Sequence, residues 1–170
     1  MKGQTETINL VLLFSVGVVL FISAVVWGRT ILQQNIDNSK ISFSENFMTS
    51  LDKKIGDVVK FGGDDKMGYG FDSTIELIGD NTIEIKTPTS VTTIPNYWVN
   101  VTNFPESYIR EMLDGNVFRI QLVLKETSYN KISLFTDGPK LATPKSVELE
   151  KNSTKEDNGI IKILVKITFL

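Results

Sequence analysis

Ile8-Asn9-Leu10-Val11-Leu12-Leu13-Phe14-Ser15-Val16-Gly17-Val18-Val19-Leu20-Phe21-Ile22-Ser23-Ala24-Val25-Val26-Trp27 is a run of 20 residues without a charged side chain. At about 1.5 Å of rise per residue, a helix of that length spans a hydrocarbon core of roughly 30 Å, so the run can cross a membrane. A cleavable secretory signal has an apolar core of about 7 to 15 residues and then a small-residue cleavage site. Here the run ends at Trp27-Gly28-Arg29 with no such site, which predicts that the segment stays in the mature chain. Ser15, Gly17, Ser23 and Ala24 are its small residues, of the kind that let a second helix approach in lipid, although no Gly-x-x-x-Gly occurs. Trp27 suits the interface at the outer edge of the span.

Beyond the apolar run the hydrophobic period tells two stories. Phe43, Phe47, Leu51, Ile55, Val58 and Val59 fall about four apart, which predicts one apolar face of an amphipathic helix stopped by Gly62-Gly63. Residues 29–39 are mostly polar, so a break is expected between Asn35 and Ser42, with Ser42 or Ser44 capping the second piece. After Tyr69 the period becomes two. Strands are predicted over 73–78, 82–86, 97–102, 117–126, 131–135, 146–150 and 160–169. Alternation is clearest in Ile83-Glu84-Ile85-Lys86, and in Phe118, Ile120, Leu122 and Leu124 against Arg119, Gln121, Val123 and Lys125. Gly79-Asp80-Asn81 reads as a hairpin turn. Pro105 and Gly115 bracket a predicted short helix over 105–113 that buries Tyr108, Ile109, Met112 and Leu113. The fold class is therefore α+β: a long N-terminal helix, transmembrane and then amphipathic, followed by an antiparallel, β-rich, sandwich-like domain. The last strand, 160–169, has an edge protected by Lys162 and Lys166 and is expected to pair within the domain.

Composition narrows the chemistry. The 170 residues hold no Cys and no His, which excludes disulfides, thiolate zinc sites, cysteine nucleophiles and the commonest general base. With Lys2 and Glu6 set aside, 17 basic and 19 acidic residues remain, a balance that carries no nucleic-acid footprint. Asp64, Asp65 and Asp72 could share a hard cation, but their spacing matches no EF-hand, and residues 62–72 read as a solvated loop. The same run lacks the final glycine of a Gly-x-Gly-x-x-Gly phosphate loop. The carboxylate pairs Glu106 with Glu111 and Glu148 with Glu150 have no flanking sign of a cleft, so no catalytic residue, metal or cofactor is expected. Asn96-Tyr97-Trp98 offers aromatic groups suited to a binding surface, although a strand with core aromatics is the plainer reading. Two sequons, Asn100-Val101-Thr102 and Asn152-Ser153-Thr154, make Asn100 and Asn152 candidate glycosylation sites and agree with a domain outside the cell.

The residues ahead of the apolar run add a pathway. Lys2-Gly3-Gln4-Thr5-Glu6-Thr7-Ile8 resembles a class III signal sequence of the archaeal type IV pilin-like proteins. The resemblance covers about the first 30 residues. It implies cleavage by a membrane-embedded leader peptidase between Gly3 and Gln4, and an assembly role for Glu6, which would stand third after the cut where pilins carry an acid at the fifth position. It also implies a cytoplasmic N-terminus, a choice that Lys2 and Arg29 alone leave open. The expected organisation is a leader (1–3), a transmembrane helix (4–28), a polar linker and amphipathic helix (29–63) and an extracellular β domain (64–170). The chain then reads as a single-pass cell-membrane protein, a minor pilin or accessory subunit of a surface filament. Its partners would be the membrane, the leader peptidase and identical or related pilin-like subunits. Two alternatives share these features: a monomeric surface anchor whose β domain binds a ligand or envelope polymer, and a stator-like protein of the archaeal swimming filament.

Overall fold

α1 (Lys2–Phe61) contains every residue of the apolar run and of the stripe that follows it. The computed structural model describes residues 2–70, 72–157 and 159–170, and for 2–7 and 157 the backbone alone. The chain divides into two compact units, Met1–Ile36 and Asp37–Leu170, and the division falls inside α1. In the first unit Ile8 and the apolar side chains from Leu10 to Trp27 are exposed, as are Ile31, Leu32 and Ile36. This helix is long and apolar enough to cross a membrane, and its most apolar window is wholly unburied. An exposed face of that kind is stable only against lipid or another apolar surface.

The expected break between Asn35 and Ser42 is absent: these residues are helical. No Pro or Gly interrupts residues 29–55, and Ser44 does not cap a new helix but donates its hydroxyl to the Lys40 carbonyl one turn back, as Ser15, Ser23, Thr30 and Thr49 do to theirs. The helix ends where Gly62 and Gly63 adopt φ of 77° and 86°, a region only glycine enters freely. The Gly62 amide donates to the Val58 carbonyl, and the Lys151 ammonium donates to the Val59 carbonyl at 2.7 Å, placing a cation at the negative end of the helix dipole.

Among the described residues the second unit contains ten strands in two sheets. The four-stranded sheet has the order β1 (Asp64–Gly68), β9 (Ser146–Asp157), β10 (Ile160–Phe169), β7 (Asn130–Phe135). The six-stranded sheet has the order β4 (Val99–Asn103), β5 (Ser107–Asp114), β6 (Val117–Leu124), β3 (Thr82–Pro88), β2 (Thr74–Ile78), β8 (Leu141–Ala142). All pairs are antiparallel except β10 with β7. The arrangement is the expected α+β, sandwich-like one. The predicted Gly79-Asp80-Asn81 turn joins β2 to β3, with Gly79 at φ 67°. β10 lies between β9 and β7, inside its own sheet.

The helix supplies the middle of the core. Asp37, Ile41, Ser44, Met48, Leu51, Ile55 and Val58 are all buried, at alternating steps of four and three residues. The apolar members join Ile83, Ile85, Phe118, Ile120 and Leu122 of the larger sheet and Val147, Leu149, Val165 and Ile167 of the smaller one in a single cluster. The two polar members of the stripe have their own partners. Asp37 accepts from the Ser90 amide at 2.7 Å and hydroxyl at 2.6 Å, and Ser44 lies 3.4 Å from Thr87, which in turn lies 2.7 Å from Ser73. Buried polar groups require such bonds. Phe43, expected on this face, is 55% exposed, because the buried seam passes through Ser44 instead.

Three other expectations are corrected. Residues 107–114 form β5, not a helix. Ser107, Ile109 and Leu113 point inward with period two, and the two-residue Gly115-Asn116 turn zips β5 onto β6 from Asp114↔Val117 to Ser107↔Leu124. Part of the expected loop 62–72 is β1, which pairs with β9 and is fixed to α1 by the Lys54 ammonium, 2.6 Å from both Asp65 oxygens. β9 extends past Glu150 to Asp157 because β10 offers it a ladder through Asp157↔Ile160.

Candidate interaction surfaces

Along its seam with β5, α1 places two acids seven residues apart. Asp52 accepts a 2.5 Å hydrogen bond from the Ser107 hydroxyl. Burial raises the Asp52 pKa, the Ser107 bond opposes that rise, and nearby Glu106 adds to it. The adjoining cleft, about 240 Å³, is lined by Asp52, Gly56, Lys60, Phe104, Pro105 and Ile132 among others. Glu111 has a raised pKa, chiefly from burial and then from the neighbouring Glu45 carboxylate, and one of its oxygens is buried without a hydrogen-bond partner. Glu106 and Glu111, paired in the sequence, thus have separate neighbours.

Glu111 sets a pH dependence. A raised folded-state pKa favours the neutral acid, so its stabilising contribution is complete below the ordinary carboxylate range and is lost as pH rises through the raised value. Glu111→Gln is expected to stabilise the protein at pH 7 by on the order of 0.5 kcal/mol, a figure reduced for partial contact with solvent, and to change nothing near pH 4. Urea titrations at the two pH values check this, and equal effects at both would refute it.

The outer face of the larger sheet is polar in an ordered way. Cross-strand pairing aligns Glu76 (β2), Glu84 (β3), Gln121 (β6), Arg110 (β5) and Asn100 (β4) in one row. Glu84 is fully buried although it points away from the core. One of its oxygens accepts from Arg119 Nε at 2.9 Å and Gln121 Nε2 at 2.9 Å, with Arg119 Nη2 at 2.8 Å. Lys86 lies 3.2 Å from the other and 2.6 Å from Glu76. Gln121 passes the row onward by accepting from Arg110 Nε at 2.9 Å. The Arg110 guanidinium sits 4.8 Å from the Trp98 ring centroid and 5.9 Å from that of Tyr108. Arg119 lies 5.6 Å from the same Trp98 centroid, so Trp98 packs on two cations outside the core, and Tyr97 is 66% exposed.

The sequence assigned Arg119 and Gln121 to the outer face; it did not show that they bury an acid there. Alternation fixes which way Glu84 points, but its covering depends on the order β3-β6-β5, which no local pattern carries.

Both sequons are accessible, and each spans a β-bulge. Asn100 is exposed on edge strand β4, where Val101 has no cross-strand partner between Asn100↔Arg110 and Thr102↔Ile109. Asn152 is exposed on β9 and is itself the unpaired residue between Lys151↔Val165 and Ser153↔Leu164. Gly3, Gln4 and Glu6 stand at the start of α1, and their side chains lie outside the described residues. Glu148 and Glu150 share the outward face of β9, in register with Lys66 and Lys166 respectively, on an open surface. Asp65 is engaged by Lys54, which also lowers its pKa, so it is not available to join Asp64 and Asp72 around a cation. Among the described residues no group of three acids could hold a metal.

No family model, curated protein or solved structure matches the chain.

Proposed function

We propose that this chain is a membrane-anchored, outward-facing subunit of the type IV pilin-like class, a minor pilin or accessory subunit that acts by assembly and not by catalysis. One observation carries the reading: a single helix, α1, supplies an unburied apolar stretch in its first unit and the central core helix of a β domain in its second. A simple signal anchor would need no such sharing of one helix between lipid and core. Lys2-Gly3 is then the end of a leader removed on the cytoplasmic side. The new amine on Gln4 is neutralised by Glu6 of an adjacent subunit, because an unpaired charge at a membrane helix is expensive.

Mass spectrometry of the native amino terminus tests the pathway: a chain starting at Gln4 supports it, and one starting at Met1 leaves a plain anchor. Glu6→Gln tests assembly. Leaving the amine unpaired costs on the order of 2.5 kcal/mol per contact, so filaments in the sheared fraction, or multimers in detergent, should fall by about 60-fold. Unchanged assembly would remove Glu6 from that role.

A further inference from the structure

We propose that Asn100 carries an N-linked glycan whose sugars lie on the outer face of the larger sheet, stacked on Trp98 and presenting an acidic group to Arg110. The inference rests on the reading above in one respect, that the β domain faces outside. Its own support is the row that ends at Asn100. Arg119 and Lys86 on this face are paired with Glu84, Glu76 and Asp114, whereas Arg110 meets only the neutral amide of Gln121 and two aromatic rings. Its two terminal nitrogens make no hydrogen bond or ion pair among the described residues, and its cross-strand neighbour on the free side is Asn100. A guanidinium placed over two aromatic rings, with its terminal nitrogens open, is a preorganised fork for a carboxylate.

Trp98 precedes Asn100 by two residues, the spacing that puts side chains on one face of an extended chain. A sugar on the Asn100 nitrogen can therefore lay its C–H face over the indole while the next sugar reaches Arg110. Access is present too. β4 is the edge of its sheet, and the bulge at Val101 releases the sequon from regular pairing. In the coupling step the Asn100 carboxamide nitrogen attacks the anomeric carbon of a lipid-phosphate-linked oligosaccharide. The C–N bond forms, the C–O bond to phosphate breaks, the lipid phosphate leaves with that electron pair, and the amide proton passes to a base of the membrane transferase. Asn152 has the sequon and the bulge but no aromatic ring or unpaired guanidinium in its row, so its modification should leave stability unchanged.

Protein from native membranes, characterised by glycopeptide mass spectrometry and by thermal unfolding in detergent, tests this. The expected result is occupancy of Asn100 by a glycan with at least one acidic sugar, a midpoint lower by about 3 °C in Asn100→Gln, and no shift in Asn152→Gln. In a Trp98→Ala background the Asn100→Gln shift should vanish. Should Trp98→Ala not fold, a Trp27→Phe background leaves Trp98 as the sole indole, and Asn100→Gln should speed its quenching by acrylamide. An unmodified Asn100, a wholly neutral glycan, or an unchanged quenching rate would overturn the proposal. An unmodified Asn100 on a chain starting at Gln4 would sink this inference and spare the pilin-like reading, and a glycosylated chain starting at Met1 would do the reverse.

Discussion

Leu51→Ala is expected to destabilise the β domain by about 3 kcal/mol, a large share of the roughly 5 to 15 kcal/mol that holds a domain folded. Leu51 is completely buried at the middle of the α1 seam, with Met48 and Ile55 buried one turn to either side. The walls around it belong to hydrogen-bonded ladders. β3 and β6 are locked by seven registered pairs and β9 and β10 by ten, so neither sheet can move inward to refill a lost isobutyl group. The cost is therefore the lost transfer energy together with the remaining cavity. Two comparisons isolate this cause. Leu51→Met conserves volume and should cost less than about 1.5 kcal/mol. Leu20→Ala removes the same atoms from a side chain 64% exposed in the first unit and should leave urea unfolding of the β domain unchanged within about 0.5 kcal/mol. Equal effects at Leu51 and Leu20 would mean that the seam is not the core.

Period alone makes much of this fold legible. Ile83-Glu84-Ile85-Lys86 and 117–124 alternate because each strand has one face against α1, and the structure uses both in that phase. The helical seam was harder to see because its buried positions include Asp37 and Ser44. A hydrophobic tally passes over both and favours Phe43, and only Ser90 and Thr87, distant in sequence, make the polar positions tolerable inside. β5 misleads for a related reason. Tyr108, Ile109, Met112 and Leu113 fit a helix face as well as a strand, Pro105 and Gly115 supply terminators, and the β6 partner decides. β1, with Asp64-Asp65-Lys66, has little strand propensity of its own and exists through β9 and Lys54. The cationic platform was legible only in part. Tyr97-Trp98 reads more plainly as core aromatics than as a binding surface, yet Tyr97 is exposed and Trp98 half-buried on the outer face, and the Arg110 beside Trp98 comes from a segment whose secondary structure the sequence misrepresents.

Arg119→Met should be nearly as damaging as the core cavity, at about 2 to 4 kcal/mol, although Arg119 is itself partly exposed. The loss falls on Glu84. Its carboxylate has no solvent contact, and Arg119 supplies two of the three nitrogen contacts to one oxygen, leaving Gln121 there and Lys86 at the other. Removing the guanidinium strands a buried charge, whereas the lost pair with Asp114, whose side chain is 61% exposed, contributes little. The two contributions separate in a mutant cycle. Asp114→Ala should cost below about 0.5 kcal/mol, and Glu84→Met combined with Arg119→Met should recover most of the stability lost in Arg119→Met, since an apolar pair in that space no longer has a charge to solvate. Arg119→Lys should fall between, because an ammonium cannot make the paired Nε and Nη2 contacts. Additive losses in the double variant would show that Glu84 is not held by Arg119, and that the buried row across β3, β6 and β5 is several independent contacts and not one network.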